Sequence, residues 1–323
     1  MLPRNFGFLL CIFASVVGGH AVAQEKFPSK NINLIVPITA GSAVDILARF
    51  YADRLPKVLG VPVIVSNRVG ASGAIAAQAV LGAPADGYTL QAANFGHAIL
   101  GALNKNLPFD PVADFAGLTM VGETPTLITV SPALGVRTLE EFVKIAKAKP
   151  GSINYGSAGP GSTTHIAGAY FANQAGIEMV HVTYRSSGDL LADLMAGRIQ
   201  AFFAPPAATL PLVQEGKVVA LAISNRDGIT KPISVPSARA SNIDYEYLGW
   251  YGFLAPAKTP PDILKTLDDA IRQVGQDEEL KSKIEAQGIT PRLISLRDFD
   301  AHIVKELNRI KPVLEKVGES VKN

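Results

Sequence analysis

Short runs of branched apolar residues alternate with amphipathic helical stretches along most of this chain, and turns rich in Gly, Ser or Pro separate them. Such alternation points to a layered α/β architecture with parallel strands. Asn33 to Ile38 predicts a strand, and Val44 to Val58 predicts a helix with Ile46, Leu47, Phe50, Tyr51 and Leu55 on one stripe. Val61 to Asn67, the Gly70 to Gly73 turn and the Ala-rich Ala74 to Gly82 repeat the pattern, and Tyr88 to Asn94 adds a strand. Ile153 to Gly156, Val180 to Tyr184, Ala201 to Ala204 and Val218 to Ser224 are further strand candidates, each closed by a breaker. Helix starts are marked by Thr138 with Glu141, by Thr259-Pro260-Pro261-Asp262, and by Ser295 with Asp298.

The first residues read as an address. Arg4 precedes an apolar stretch from Phe6 to Val17, too short to span a bilayer, and Ala21-Val22-Ala23 offers a small-x-small cleavage site before Gln24. A cleavable export signal over residues 1–23 is therefore expected. Its removal would take away Cys11, the single cysteine, leaving no thiol for catalysis, disulfides or metal thiolates. Losing Arg4 with it reduces 30 Lys+Arg against 28 Asp+Glu to a surplus of one, so nothing in the charge suggests a nucleic-acid partner. At 323 residues the chain is long enough for two domains.

Two loops carry the most chemistry. Thr39-Ala40-Gly41-Ser42 lies between a strand and a helix, and Gly156 to His165 (GSAGPGSTTH) lies between another such pair. At a helix N-terminus the first N–H groups lack partners and the macrodipole favours negative charge, so an anion can bind without Lys or Arg. The same serines, Ser42 and Ser162, also serve as ordinary helix caps. Gly156 to Gly161 has P-loop spacing, but Ser162 stands where the phosphate-binding Lys belongs. Gly70-Ala71-Ser72-Gly73-Ala74 lacks the last Gly of a nucleophile elbow. The histidines after the leader, His97, His165, His181 and His302, show no metal spacing, so no metal or cofactor is expected. Arg68 and Arg185 are the basic residues nearest to Gly/Ser loops, and Arg185 is the better ligand candidate.

Six segments in order carry a resemblance: VPI-x-AG-x-x-VD-x-LAR (Val36 to Arg49), NR-x-GA-x-G (Asn67 to Gly73), DGYTL (Asp86 to Leu90), KPG-x-INYGSAG-x-GS-x-x-H (Lys149 to His165), VHV-x-Y (Val180 to Tyr184) and FLAPA-x-TP (Phe253 to Pro260). Together they resemble the Bug family, also called TctC-like, the periplasmic solute-binding proteins of tripartite tricarboxylate transporters. The resemblance implies a type II periplasmic-binding-protein fold with two α/β lobes and a ligand cleft between them. It places chain crossings near Leu127 and Gly249: residues 24–126 plus 249–323 form one lobe and 127–248 the other. It also implies a small organic carboxylate as ligand, membrane permease subunits as partners, a monomer, and binding rather than catalysis. A receptor serving a sensor kinase would use the same binding residues.

The implied ligand residues are Ile38, Thr39, Ala40, Gly41, Ser42 and Asn94 on one lobe, and Ser157, Ala158, Gly159, Ser162, Thr163 and His165 on the other. Tyr184, Arg185 and Ala204 close the side. The chain departs from the family pattern at Pro37-Ile38-Thr39-Ala40-Gly41-Ser42 (usually P-F-x-P-G-G), at Tyr184-Arg185-Ser186 (usually Tyr-Lys-Gly) and at Ala204-Pro205 (often Asp-Asn). No acidic residue lies between Leu194 and Gln214, so a ligand ammonium would find no counter-charge there. Ile38, Ala40, Ala204, Pro205 and Pro206 suggest an apolar midsection suited to a dicarboxylate with a hydrocarbon spacer, such as adipate or terephthalate. Arg185 would meet its second carboxylate.

Overall fold

The computed structural model describes residues 26–320 apart from Lys105 and Pro232, so the expected leader lies outside the described residues. Among the described residues, eleven strands form two sheets. The strands are β1 (Ile32–Val36), β2 (Val63–Asn67), β3 (Thr89–Asn94), β4 (Phe115–Pro125), β5 (Leu127–Val130), β6 (Ile153–Ser157), β7 (Met179–Thr183), β8 (Ala201–Ala204), β9 (Val219–Ile223), β10 (Leu248–Pro256) and β11 (Thr290–Ser295). The first sheet has the order β11-β4-β10-β3-β1-β2 and the second β7-β6-β8-β5-β9.

The expected parallel arrangement holds for β1 with β2 and β3, and for β6 with β7 and β8. It fails for the rest. β10 runs antiparallel to β3 and β4, β11 antiparallel to β4, and β5 antiparallel to β8 and β9. The cause is topological: the chain leaves the first sheet along β4 and re-enters it along β10, opposite in sense to the βαβ units it joins. At the crossings these strands pair side by side, Leu248 with Pro125 and Gly249 with Thr124. Ser224 ties the two crossings together. Its backbone N–H donates to the Thr126 carbonyl at 2.9 Å. Its hydroxyl accepts from the Thr126 N–H at 2.7 Å and donates to the Tyr247 carbonyl at 2.6 Å.

Most local expectations meet local chemistry. Thr138 and Glu141 form a reciprocal capping box that opens helix Leu139–Ala148. Helix Pro261–Gly275 begins at the double proline, where a missing N–H costs nothing. The helix expected from Val44 to Val58 is shorter: it runs Ala43–Ala52, and Pro56 starts a separate turn, Pro56–Leu59. Proline at position 56 has no N–H for the carbonyl of Ala52 and its ring crowds that carbonyl, so the helix cannot continue through it.

Two buried clusters flank the first sheet. One contains Leu34, Leu47, Tyr51, Phe253 and Ile271. The other runs from Phe95, Trp250 and Phe299 through Tyr245 and Tyr247 to Phe171 and Phe203, so apolar packing is continuous from one sheet to the other. The C-terminal helix Leu296–Ser320 packs on β4 and also meets helix Thr163–Ala175.

Candidate functional site

Between the two sheets lies a cavity open to solvent. The end of β3 supplies Asn94 and the following turn Phe95; the two crossings supply Thr124, Thr126, Tyr247, Gly249, Trp250 and Tyr251. The second sheet's side supplies Thr163, Thr164, Phe203 and Pro205. Five of these are aromatic, five are Thr or Asn, and none is charged. Any anion held here would meet hydroxyls, amides and the N-terminus of helix Thr163–Ala175 instead of a counter-ion.

The loop beneath that helix is held from behind. Gly159 and Gly161 adopt φ of 120° and 74°, conformations that favour glycine. Ser162 caps the helix, its hydroxyl accepting from the His165 N–H at 3.2 Å and pairing with the Thr164 hydroxyl at 3.2 Å. Thr164 in turn accepts from the Ala158 N–H at 3.2 Å, and His165 Nδ1 accepts from the Gly161 N–H at 3.0 Å. Ser157 Oγ, fully buried, lies 2.5 Å from His181 Nε2 and accepts from the Gly159 N–H at 3.0 Å. The rings of His165 and His181 stack at 3.8 Å and 11°. Burial, with a smaller contribution from His181, holds His165 down at about 4, and burial lowers His181 too, so both imidazoles are neutral at pH 7.

Ser157 and His181 form a serine–histidine pair, but the arrangement is that of a prop. The serine is sealed from the cavity, the Gly159 amide already occupies its oxygen, and no carboxylate among the described residues orients His181. A nucleophile needs an open face toward a substrate and an oriented base.

The first loop is fixed by a network that sequence reasoning passed over. Asp45, 2% exposed, accepts from the Gly41 N–H at 2.9 Å and from Asn67 Nδ2 at 2.9 Å, and Arg49 grips it through Nε and Nη2, each at 3.0 Å. Asn67 Nδ2 also donates to the Ile38 carbonyl at 2.8 Å. The Arg49 hydrogen bonds hold the Asp45 carboxyl at about 2, against burial working the other way. Arg49 and Asn67 were visible as motif letters, and the i, i+4 spacing of Asp45 and Arg49 signals a pair. The partner 22 residues away has no local signal.

Of the expected ligand residues, the structure brings Asn94 and Thr163 to the cavity wall. Thr39, Ala40 and Gly41 are exposed, and Ile38 and Ser42 half-buried, on a loop outside that lining. Ser42 caps helix Ala43–Ala52, accepting from the Asp45 N–H at 3.4 Å. Ser157, Gly159, His165 and Ala204 are buried, while Ala158 is exposed and Ser162 half-buried. Tyr184 donates its hydroxyl to Asp193 at 2.8 Å, and burial, with that carboxylate second, pushes it up to about 12. Arg185 is exposed and makes no ion pair with the described residues. Pro205 joins the wall, whereas Pro206 is buried and opens the following helix. Phe95, Thr124, Thr126, Phe203, Tyr247 and Trp250 line the cavity without having been anticipated. The one usable sign was the lone tryptophan beside the expected crossing at Gly249.

The model of the tripartite tricarboxylate transporter family receptor, TctC, matches residues 47–319. Protein BugT of Bordetella pertussis is 30% identical over 315 residues, covering 96% of this chain and 97% of BugT. A TctC solute binding protein from Polaromonas superposes with a TM-score of 0.79 at 27% identity, covering 90% of this chain and 99% of that one. An R. palustris protein solved with adipate gives a TM-score of 0.76 at 29% identity, covering 90% of this chain and 98% of that one. Two mixed sheets, two crossings and an uncharged cleft between them thus come with matches along nearly the whole chain, which belongs to the TctC family of tripartite tricarboxylate transporter receptors.

Proposed function

We propose that this chain is an exported receptor that captures a small organic dicarboxylate with an apolar spacer and presents it to the permease of a tripartite tricarboxylate transporter. The carrying observation is the cleft: aromatic rings interleaved with hydroxyls and one amide, free of charged side chains, and bordered by Thr163 and Thr164 at a helix N-terminus. An uncharged site of this kind suits a ligand that brings its own charge at its ends and hydrocarbon between them. It would leave the ammonium of an amino acid without a counter-charge. The adipate-bound R. palustris relative supports the same chemistry.

The lobes in this reading are residues 24–126 with 249–323 and residues 127–248, with the leader at 1–23 removed on export. The loop residues of the expected site act on two levels. Thr163 and Asn94 face the ligand, while Ser157, Ser162 and His165 hold the loop that positions Thr163. Thr39, Ala40, Gly41 and Ser42 close over the ligand from the opposite lobe, and Arg185 reaches its second carboxylate from the rim.

Calorimetric titration of terephthalate, adipate, citrate and glutamate in one buffer tests the reading. One of the two spacer-type diacids should bind tightest, with micromolar affinity, about −8 kcal/mol. Glutamate ahead of both would sink it, and citrate ahead of both would return the ligand to tricarboxylates.

A further inference from the structure

Two tyrosines fasten the helix that borders the cleft to the chain entering the second crossing. The Tyr245 hydroxyl donates to the Ala167 carbonyl at 3.1 Å and the Tyr247 hydroxyl to the Thr163 carbonyl at 3.2 Å. The two acceptors stand four residues apart on helix Thr163–Ala175, one above the other on a single face, so side chains two residues apart in the chain reach successive turns. Both tyrosines are buried, but only Tyr247 lines the cleft.

Tyr247 is itself held at three points. Its carbonyl accepts from the Ser224 hydroxyl at 2.6 Å, its ring stands edge to face against Phe95 at 5.6 Å and 84°, and its hydroxyl grips Thr163. Phe95 follows β3 of the first sheet and Thr163 opens the helix after β6 of the second, so one side chain joins both walls of the cleft. Thr163 is half-buried at the wall, and the hydroxyls on either side of it, Ser162 and Thr164, pair with each other. Its own hydroxyl is left to meet a ligand, and its place depends on the carbonyl of the same residue. A binding group has to be held to within a fraction of an ångström by partners that are themselves locked, and Tyr247 meets that condition.

We propose that Tyr247 is a positioning residue of this receptor: its hydroxyl, spent on the Thr163 carbonyl and not on the ligand, fixes the first turn of helix Thr163–Ala175 so that the Thr163 hydroxyl meets a ligand carboxylate. The proposal rests on the carboxylate reading and adds to it the residue that aims the contact. Tyr245 makes the same kind of bond one turn further along the helix, outside the cleft lining, and serves stability alone.

Tyr247→Phe and Tyr245→Phe each delete one oxygen and one hydrogen bond, so urea unfolding should show similar, small losses of stability. Calorimetry with adipate should separate them: Tyr247→Phe weakens binding by about three- to ten-fold, the range of one hydrogen bond, and Tyr245→Phe leaves it unchanged. In a Thr163→Val background, Tyr247→Phe should change affinity no further, because the hydroxyl it acts through is gone. A spectroscopic readout runs beside these. Thr163-Thr164 is the one Thr-Thr step in the chain, so protein carrying ¹³C-carbonyl and ¹⁵N threonine gives a single carbonyl–amide correlation, and its carbonyl is the one that accepts from Tyr247. That signal should move in Tyr247→Phe and stay put in Tyr245→Phe. Unchanged affinity in Tyr247→Phe, equal weakening by both variants, an undiminished effect in the Thr163→Val background, or an unmoved signal would each overturn the role of Tyr247 and leave the receptor reading standing. Failure of the unaltered protein to bind adipate, terephthalate or citrate would remove the receptor reading itself, and this inference with it.

Discussion

Asp45 shows how a single carboxylate can sit at a helix N-terminus without serving the ligand. Its negative charge occupies the favourable end of helix Ala43–Ala52, takes the Gly41 N–H, and is matched by Arg49. Replacing it with Asn keeps an acceptor for Gly41 and removes the charge. Because the native carboxyl titrates at about 2, below its unfolded value, the stabilisation is complete above pH 4 or so and disappears as the pH falls through about 2. Arg49 is half exposed, so solvent screening reduces the benefit, and Asp45→Asn should cost about 1–2 kcal/mol at pH 7 by urea unfolding. At pH 2 the two proteins should be closely matched. The two hydroxyls on the second loop separate in the same way. Ser162 is spent on the cap, so Ser162→Ala should lower stability by about 1 kcal/mol and leave affinity alone. Thr163 lines the cavity, so Thr163→Val should leave the melting temperature unchanged and weaken binding by about 1.5–3 kcal/mol in calorimetry.

Among elements, those decided by neighbours in sequence were legible and those decided by distant pairing were not. Thr138 and Glu141, three residues apart, announce a helix because the cap is made of those two side chains alone. β6, β8 and β9 read as strands because short apolar runs end at Gly, Pro or Ser. β4, β5, β10 and β11 gave no comparable signal. β4 is buried along most of its length, so the alternation that betrays a half-exposed strand is missing, and its partners lie more than a hundred residues away. The cleft residues Thr124, Tyr247 and Trp250 inherit that obscurity. Which face they present follows from the register of β10 on β4. Ser224 belongs to the same level, since its three hydrogen bonds join strands that no local pattern connects. Ser224→Ala leaves the Thr126 N–H and the Tyr247 carbonyl buried with one partner fewer each. The expected loss is about 2–4 kcal/mol in urea unfolding. A loss within about 0.5 kcal/mol, the size typical of a surface site, would mean that the crossings are not tied at this point.

At the scale of the whole molecule, two lobes joined by paired crossings should close on their ligand by hinge motion, because donors from both sides are satisfied only when the cleft is shut. Small-angle scattering should show a smaller radius of gyration at saturating adipate, and an unchanged curve would argue for a preformed site. Acid stability is also a property of the whole. His97, with Nε2 donating to the Pro111 carbonyl and Nδ1 accepting from Gln91, is fixed neutral, and burial holds it, like His302 and His165, at about 4. Between roughly pH 6.5 and 4 the unfolded chain takes up protons that the folded chain refuses. Folding stability should therefore be level above that window and fall within it, by at most about 1.4 kcal/mol per pH unit for each imidazole. The buried carboxyls Asp268, Asp300 and Glu306, raised by desolvation, act in the opposite sense and soften the slope. His97→Gln, measured by urea unfolding across the window, should flatten it further.

The lone tryptophan stands where the crossings meet the cleft. Its ultraviolet emission thus comes from one place and carries no background from a second indole. If the cleft closes on its ligand, the packing around that one emitter should change with it. An emission change on adding adipate is the expected mark of occupancy, and a stopped-flow fluorimeter would then time capture and release without any dye attached.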